Sequence, residues 1–437
     1  MRRAPEAHVL LEKIFRDALA AVDAEAAVAR AVTRTPEGVF VAGRRLAGPR
    51  VYVLAVGKAA VPMASAFGTR AGDALAEGLV VAPPGHGQAP SRFRQLEGAH
   101  PVPDERSEIA ALEVLRFLAR LGPGDALCVL LSGGASSLLS APLPGLSLQD
   151  LAATTQALLV GGAPIDELNA VRKHLSAAAG GRLARACRAG SIDLLVVSDV
   201  PGDRLDVVGS GPFAADASTF GDALAVLDAR TPQETAVAAV RAELEAGVRG
   251  ERDETPKPGA DEFTRVRSTL VATNRMAVEA ARGSALRRGL EARVVSQPLA
   301  GEAREEARRL VSLVRKVPLE MEYCLIAGGE TTVTVTGSGR GGRNQELALA
   351  AALELVSSPS VTLLAAGTDG TDGPTDAAGA FADSRTVARG RAAGVDARAA
   401  LAENDSHSFF ALEGGLLRTG PTGTNVMDLA LLLVTPR

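Results

Sequence analysis

Residues 361–383, VTLLAAGTDGTDGPTDAAGAFAD, join an apolar run of strand length to a Gly/Thr loop carrying Asp369, Asp372 and Asp376. An apolar strand that empties into a small, acidic loop is the junction at which open α/β sheets place ligands, because the crevice lies beyond the carboxyl ends of the strands. Three carboxylates on one such loop suit a divalent cation or a proton transfer. The same residues also describe a tight turn, since Asp and Gly are ordinary turn residues. Other junctions of this kind in the chain tip the reading toward a site.

Working outward from this loop, apolar runs alternate with Ala/Leu/Arg-rich helical patterns almost from end to end, the pattern of parallel α/β architecture. Strands are expected near 51–56, 79–82, 126–131, 192–198, 268–272, 291–295, 323–327, 331–336, 361–366 and 430–434. In YCLIAGGETTVTVTG two of these are parted only by a short Gly link, so a hairpin, and with it a mixed sheet, is expected in the second half. At 437 residues the chain exceeds what one hydrophobic core usually organises. The polar, Pro-containing segment RGERDETPKPGADEF (249–263) offers a boundary or a surface excursion. The expectation is two α/β domains with mainly parallel sheets, a Rossmann-like one over 1–255 and a second with a mixed sheet over 256–437.

Composition excludes several functions. A net charge of -4 gives no reason to expect nucleic acid or an anionic membrane, and 3% aromatics without Trp argue against a base- or sugar-stacking platform. No apolar run reaches the roughly 18 to 20 residues of a membrane span. The N-terminus reads as an amphipathic helix rather than a signal peptide. Cys128, Cys187 and Cys324 lie far apart without zinc or disulfide spacing, which fits a reducing cytoplasm. Only five of the 47 basic residues are lysines, so a lysine in a Gly loop stands out.

That lysine is Lys58, in VYVLAVGKAAVPMASAF, where Gly57 turns the chain out of a strand and into a small-residue helix whose N-terminus favours an anion. The upstream glycine of a Walker A loop is missing. In ALCVLLSGGASSLLSAP, the residues Ser132, Gly133, Gly134, Ser136 and Ser137 follow an apolar strand and offer backbone and hydroxyl donors to phosphate oxygens, without matching a nucleophile elbow. LLVVSDVPGDRLDVVGSGPFAAD brings Asp199 straight off a strand, while Asp203 and Asp206 read as loop solvation or caps. In NAVRKHLSAAAGGRLA, the residues Asn169, Arg172, Lys173 and His174 cannot all face one ligand from a helix, so a solvated basic face is expected, with His174 structural. TGSGRGGRNQELALAAAL holds a literal G-x-G-x-x-G in Gly337, Gly339 and Gly342, which invites a nicotinamide dinucleotide. Against that, the preceding TTVTVT alternates like a half-exposed strand, and Glu354 falls inside the helix rather than after the next strand. Arg340 and Arg343 suit a phosphoryl group better. Gly-rich loops, a lysine, arginines and separate carboxylates at strand ends form the parts list of phosphoryl transfer.

The motifs SGGASSLL, NAVRKHLS, SDVPGD, GSGP, TPKPG, AGGETTVTVTGSGRGGRNQELAL, GTDGTDGPTDAAGA and TGTNVMDL occur in an order that resembles the glycerate 2-kinase family, or class II glycerate kinases, whose members are often labelled hydroxypyruvate reductases. The resemblance implies two α/β domains with the active site in the interdomain cleft, and transfer of the ATP γ-phosphoryl group to the 2-hydroxyl of D-glycerate with Mg²⁺ or another divalent cation. It implies that Lys58, Asp199, Arg343, Asp369 and Asn425 are catalytic, Asn425 entering on resemblance alone. Substrate or ATP contacts are expected from Gly57, Ser132, Gly133, Gly134, Ser136, Ser137, Gly328, Gly329, Glu330, Thr331, Asn344 and Thr368. Asp369, first off its strand, is assigned as base or metal ligand and Asp199 as a metal ligand, with Asp372 and Asp376 shaping the loop. The partners are small molecules, and a homo-oligomer is compatible with the sequence. The alternatives are a nicotinamide-dependent hydroxypyruvate reductase and a non-catalytic anion-binding protein.

Overall fold

Two strands without an exposed position, Asp125–Leu131 and Ser191–Val197, anchor the first sheet. Strands covered on both faces read as unbroken apolar runs because helices lie above and below a parallel sheet. The computed structural model describes residues 4–48, 50–231, 237–316, 322–358 and 360–435. Two compact units result, one of Ala24–Val271 and one combining the residues up to Asp23 with those from Ala272 onward.

In the 24–271 unit six strands lie in the order Phe93–Glu97, Leu75–Ala82, Arg50–Val56, Asp125–Leu131, Ser191–Val197, Val266–Ala272, and the four pairings among the first five are parallel. From Arg50–Val56 the chain runs outward to one edge, then returns to the other side of that strand at Asp125–Leu131. This reversal is a topological switch point, where open α/β sheets hold ligands. Val56 pairs with Leu131, so Gly57 and Ser132 leave the sheet side by side. Leu54, Val56, Leu79, Val129 and Leu131 pack with Val114, Phe117 and Leu118 of the helix Glu105–Arg120. A second core joins the helices Leu148–Val160, Ile165–Leu175, Phe220–Arg230 and Ala238–Val248. Two of these helices start at capping boxes, Ser147 with Asp150 and Thr219 with Asp222.

The other unit holds a mixed sheet in the order Glu291–Val294, Tyr323–Gly329, Asp428–Val434, Val361–Gly367, Gly379–Asp383, Leu416–Leu417. Its first pairing is parallel and the rest are antiparallel, because the last strand of the chain inserts between Tyr323–Gly329 and Val361–Gly367. The helix Ala4–Ala21 belongs here: Asp17 accepts from Ser284 Oγ at 2.8 Å and pairs with Arg288 at 3.0 Å. No helix among the described residues is long and apolar enough to cross a membrane.

Three expectations differ from this architecture. The hairpin over 331–336 does not form, and only Thr332 makes an isolated bridge, to Glu302. The alternating Thr/Val residues mimic a strand, but their backbone is taken by others: Thr334 N donates to Glu302, and Thr336 N and Gly337 N donate to Asn404 Oδ1. The segment 249–263 runs along the surface but is tied into the 24–271 unit rather than bounding it, since Glu254 bonds His174 and Phe220 N, and Thr255 Oγ1 donates to Asp216 at 3.0 Å. The units therefore part at Val271 and Asp23 rather than at 255, with the Val266–Ala272 strand kept in the first sheet. Short strands at Val32–Thr35, Gly38–Val41 and Arg44–Arg45 form a small antiparallel sheet that their polar residues concealed.

Candidate active site

At the switch point of the 24–271 unit, two loops are stitched together: Lys58 N donates to Gly133 O at 3.0 Å, and Ala59 N to Ser132 Oγ at 3.0 Å. Ser132 is thus occupied in tying the loops. Gly133 must be glycine for a steric reason, since a Cβ there would sit 1.8 Å from Asp199 Oδ2. The close approach seats the Asp199 carboxylate, half-exposed at the end of Ser191–Val197, directly against the loop. On the other side of that loop a Cβ on Gly134 would meet His100 Cδ2 at 3.0 Å and Lys58 Cγ at 3.4 Å. Burial first, then the charges of Lys58 and His86, hold the His100 imidazole down at about 4, so the ring is neutral near pH 7. Ser137 Oγ donates to Pro101 O at 2.8 Å, a structural tie. Ser136 Oγ meets Arg172 Nη2 and Ser210 Oγ, each at 3.0 Å.

Arg172 therefore reaches this loop, which corrects the expectation of a solvated basic face over 169–174. Lys173 is buried and pairs with Asp216 at 3.3 Å and Asp206 at 3.5 Å. His174 is fully buried, with Nε2 2.8 Å from Glu254 Oε1 and Nδ1 2.7 Å from Ala170 O, as a structural histidine would be. Asn169 is buried as well. The helix packs inside its own core, so every face of its C-terminal turn meets protein.

The mixed-sheet unit arranges a second set. Arg343 opens the helix Arg343–Leu355 and is clamped: Nε donates to Asp428 Oδ2 at 2.5 Å, Nη2 to Asp428 Oδ1 at 3.0 Å, and Nη1 lies 2.7 Å from Glu330 Oε1. Burial opposes the charge, but the bonds and charge of Asp428, with Glu330 and Asp372, hold this guanidinium above its ordinary value. Asp428 is only 1% exposed and was not singled out in the sequence, because its partner lies far away in the chain.

The three carboxylates of the 361–383 loop diverge. Asp372 is buried beneath the start of Arg343–Leu355, accepting from Asn344 N (3.0 Å), Asn344 Nδ2 (3.2 Å), Gln345 N (2.8 Å) and Gln345 Nε2 (2.9 Å). Burial pushes its carboxyl up despite those bonds. Asn344 is accordingly spent on Asp372. Asp376 is exposed and held down at about 2 by Arg418 and His407, at 2.8 and 2.9 Å. Asp369 is half-exposed and its Oδ1 accepts from Thr371 N at 3.0 Å. Among the described residues no three His, Cys, Asp or Glu side chains gather to hold a metal, so the loop is not a three-carboxylate cage.

Thr368 is a buried tie, with Oγ1 donating to Met427 O at 2.6 Å and accepting from Val426 N at 2.8 Å. It fixes the 367–369 turn against the loop of Asn425, whose Oδ1 accepts from Met427 N at 3.1 Å. Gly328 and Gly329 end their strand, and Thr331 is buried with an unpartnered hydroxyl. The glycines of the G-x-G-x-x-G do not surround open space. A Cβ on Gly337 would strike the Glu403 backbone at 2.3 Å, on Gly339 the Asp405 side chain at 2.4 Å, and on Gly342 the Asp372 carboxyl at 2.3 Å. They are small because protein occupies the places where their side chains would lie.

Asp199 and Asp369 are half-exposed oxygen donors at strand ends. The chemistry of each, taken by itself within its own unit, fits magnesium, which takes one or two protein carboxylates and completes its shell with water and phosphate oxygens.

The chain matches the domain of unknown function DUF4147 over residues 10–245 and the MOFRL family over residues 323–428. It is 39% identical to a glycerate 2-kinase of Pyrococcus horikoshii, with 97% of each chain covered. To a D-glycerate 2-kinase of Thermotoga maritima it is 44% identical, over 88% of this chain and 91% of the other. A crystal structure of a glycerate kinase from Thermotoga maritima matches with a TM-score of 0.85 at 39% identity, covering 99% of this chain and 100% of that one. With the two matched families in sequence and relatives of this name spanning nearly its whole length, the chain belongs to the glycerate 2-kinase family.

Proposed function

We propose that the protein transfers the γ-phosphoryl group of ATP to the 2-hydroxyl of D-glycerate, giving 2-phospho-D-glycerate and ADP. The observation that carries this reading is the convergence of Lys58, Asp199 and the Gly133–Gly134 turn at the switch point of a parallel sheet, in a chain whose relatives are named glycerate 2-kinases. Phosphoryl transfer asks for positioning and charge neutralisation rather than a covalent relay. Lys58 supplies a positive charge beside backbone donors, and Arg343, fixed by Asp428, supplies another. Asp369 serves the reacting hydroxyl as base or holds the metal, and Asn425 contributes a polar contact. Asp199 in the one unit and Asp369 in the other are each a carboxylate that would suit Mg²⁺, which when bound neutralises phosphate charge. The three free, buried cysteines accord with a reducing cytoplasm. The reductase alternative loses its motif, because the three glycines pack against Glu403, Asp405 and Asp372.

Phosphorus NMR of the product formed from ATP, Mg²⁺ and D-glycerate tests the proposal, with resonances of 2-phosphoglycerate and ADP expected. Oxidation of NAD(P)H on hydroxypyruvate with no ATP-dependent product would sink it.

A further inference from the structure

The motif NAVRKHLS places two cations side by side on one helix, and the fold treats them differently. Lys173 is neutralised by Asp206 and Asp216. Arg172 has no carboxylate within ion-pair distance among the described residues, and its one hydrogen bond there is Nη2 to Ser136 Oγ at 3.0 Å. The guanidinium is nonetheless largely withdrawn from water, and burial is what lowers its pKa, with no opposing charge to raise it again. Withdrawing a cation without a counter-ion is costly; Arg204 is paired with Asp166 and Asp206 and Arg230 with Glu167, whereas Arg172 meets no carboxylate among the described residues.

The surroundings of Arg172 are built to receive an anion. Ser136 lies two residues beyond Gly134, the residue bordered by Lys58 and His100. Its oxygen accepts from Arg172 and from Ser210 Oγ, the latter only 4% exposed, so both acceptor positions are filled and the Ser136 proton remains to be donated. A guanidinium has five N–H donors in a planar fork that matches a carboxylate edge to edge. One of them is used by Ser136.

We propose that Arg172, with the hydroxyl of Ser136, which Ser210 orients, binds the carboxylate of the hydroxy-acid acceptor and is the residue that makes the protein select a charged acid over a neutral polyol. The proposal rests on the glycerate kinase reading above and deepens it. Lys58, on the other side of the Gly133–Gly134 turn, is left for the phosphoryl group.

The test compares wild type with Arg172→Gln and Arg172→Lys, using D-glycerate and its uncharged amide, D-glyceramide, as acceptors. Arg172→Gln should raise KM for D-glycerate on the order of 10²-fold while KM for ATP stays within about twofold, as expected when one partner of a desolvated charge pair is removed. Arg172→Lys should recover only part of the loss, and the preference for D-glycerate over D-glyceramide should collapse in Arg172→Gln. A rise in KM for ATP with KM for D-glycerate unchanged would assign the cation to a nucleotide phosphate and overturn the proposal, as would unchanged values for both. If Arg172→Gln does not fold, Ser136→Ala supplies the test, with a smaller rise in KM for D-glycerate supporting the proposal and an unchanged KM refuting it. Calorimetric binding of D-glycerate and D-glyceramide needs no turnover. A wild-type protein that binds D-glycerate but makes no product would refute the kinase reading alone, whereas normal turnover with full D-glycerate binding by Arg172→Gln would refute this inference alone.

Discussion

Arg343 in the mixed-sheet unit and Arg172 in the parallel-sheet unit both stand beside Gly-rich loops, yet the fold satisfies one and not the other. Arg343 has two carboxylates, Asp428 in bidentate geometry and Glu330, whereas Arg172 has a single serine hydroxyl. The contrast extends to the carboxylates of the mixed-sheet unit: Asp372 is consumed by a helix start and Asp376 by a surface pair, while Asp369 bonds its own loop at Thr371. A charge answered by protein is read out mainly as stability. A charge or carboxylate held beside a Gly-rich loop, where a ligand can reach it, is read out as turnover or binding.

The largest effects should fall on the groups assigned to the reaction. Asp369→Asn should lower kcat on D-glycerate by roughly 10² to 10⁴, and Lys58→Ala by roughly 10² or more, each with the thermal midpoint of the wild type. Partial recovery of Asp369→Asn at raised Mg²⁺ would identify a metal ligand, and wild-type turnover in either variant would return that residue to the solvated surface. Next comes Arg343→Ala, which strands Asp428 as a buried, unpaired charge and should cost about 3 kcal/mol in denaturant unfolding, beyond any loss of activity. Adding Asp428→Asn should restore part of that stability, and a fully stable Arg343→Ala would break the comparison.

A smaller effect is expected from pH. The folded His100 pKa of about 4 lies below the usual histidine value, so between the two the unfolded chain binds the extra proton. The associated stability is complete above roughly pH 6.5 and drains away as pH falls toward 4. Wild type should thus lose more thermal stability between pH 7 and pH 5 than His100→Gln does, and parallel losses would show that another group governs this window. The smallest effect belongs to Asp376→Asn, an exposed pair whose loss should leave kcat and thermal midpoint close to wild type at pH 7. A dead Asp376→Asn with an active Asp369→Asn would move the reacting centre to the other end of the loop and overturn the assignment of Asp369.

Legibility followed the range of the interactions. The buried strands at 50–56, 125–131, 191–197 and 361–367 and the polar loops after them were readable because burial on both faces writes an apolar run and a ligand-facing end breaks it with Gly, Ser or Asp. The Thr/Val run at 331–336 misled because its backbone partners, Glu302 and Asn404, are distant in sequence and leave no local trace. The same holds for Asp428, His100 and Ser210, whose importance comes from what they meet across the fold. Arg172 carried a signal in its NAVRKHLS motif, but helical spacing alone made it a surface residue, and only the surrounding helices of its core show otherwise.

The mixed sheet closes around its last-made strand, and this has a consequence for biosynthesis. Leu11, Ile14, Phe15 and Ala18 on the helix Ala4–Ala21 are fully buried in the finished unit, and Val22 O accepts from Thr424 Oγ1 across 402 residues of chain. At ribosomal speeds that separation is on the order of 20 to 80 s. Every residue of the 24–271 unit is synthesised before the main elements that cover the apolar face of this helix. That apolar face is therefore covered in steps, by the helix Asn274–Arg287, then by Val361–Gly367, and completely only when Asp428–Val434 has been synthesised.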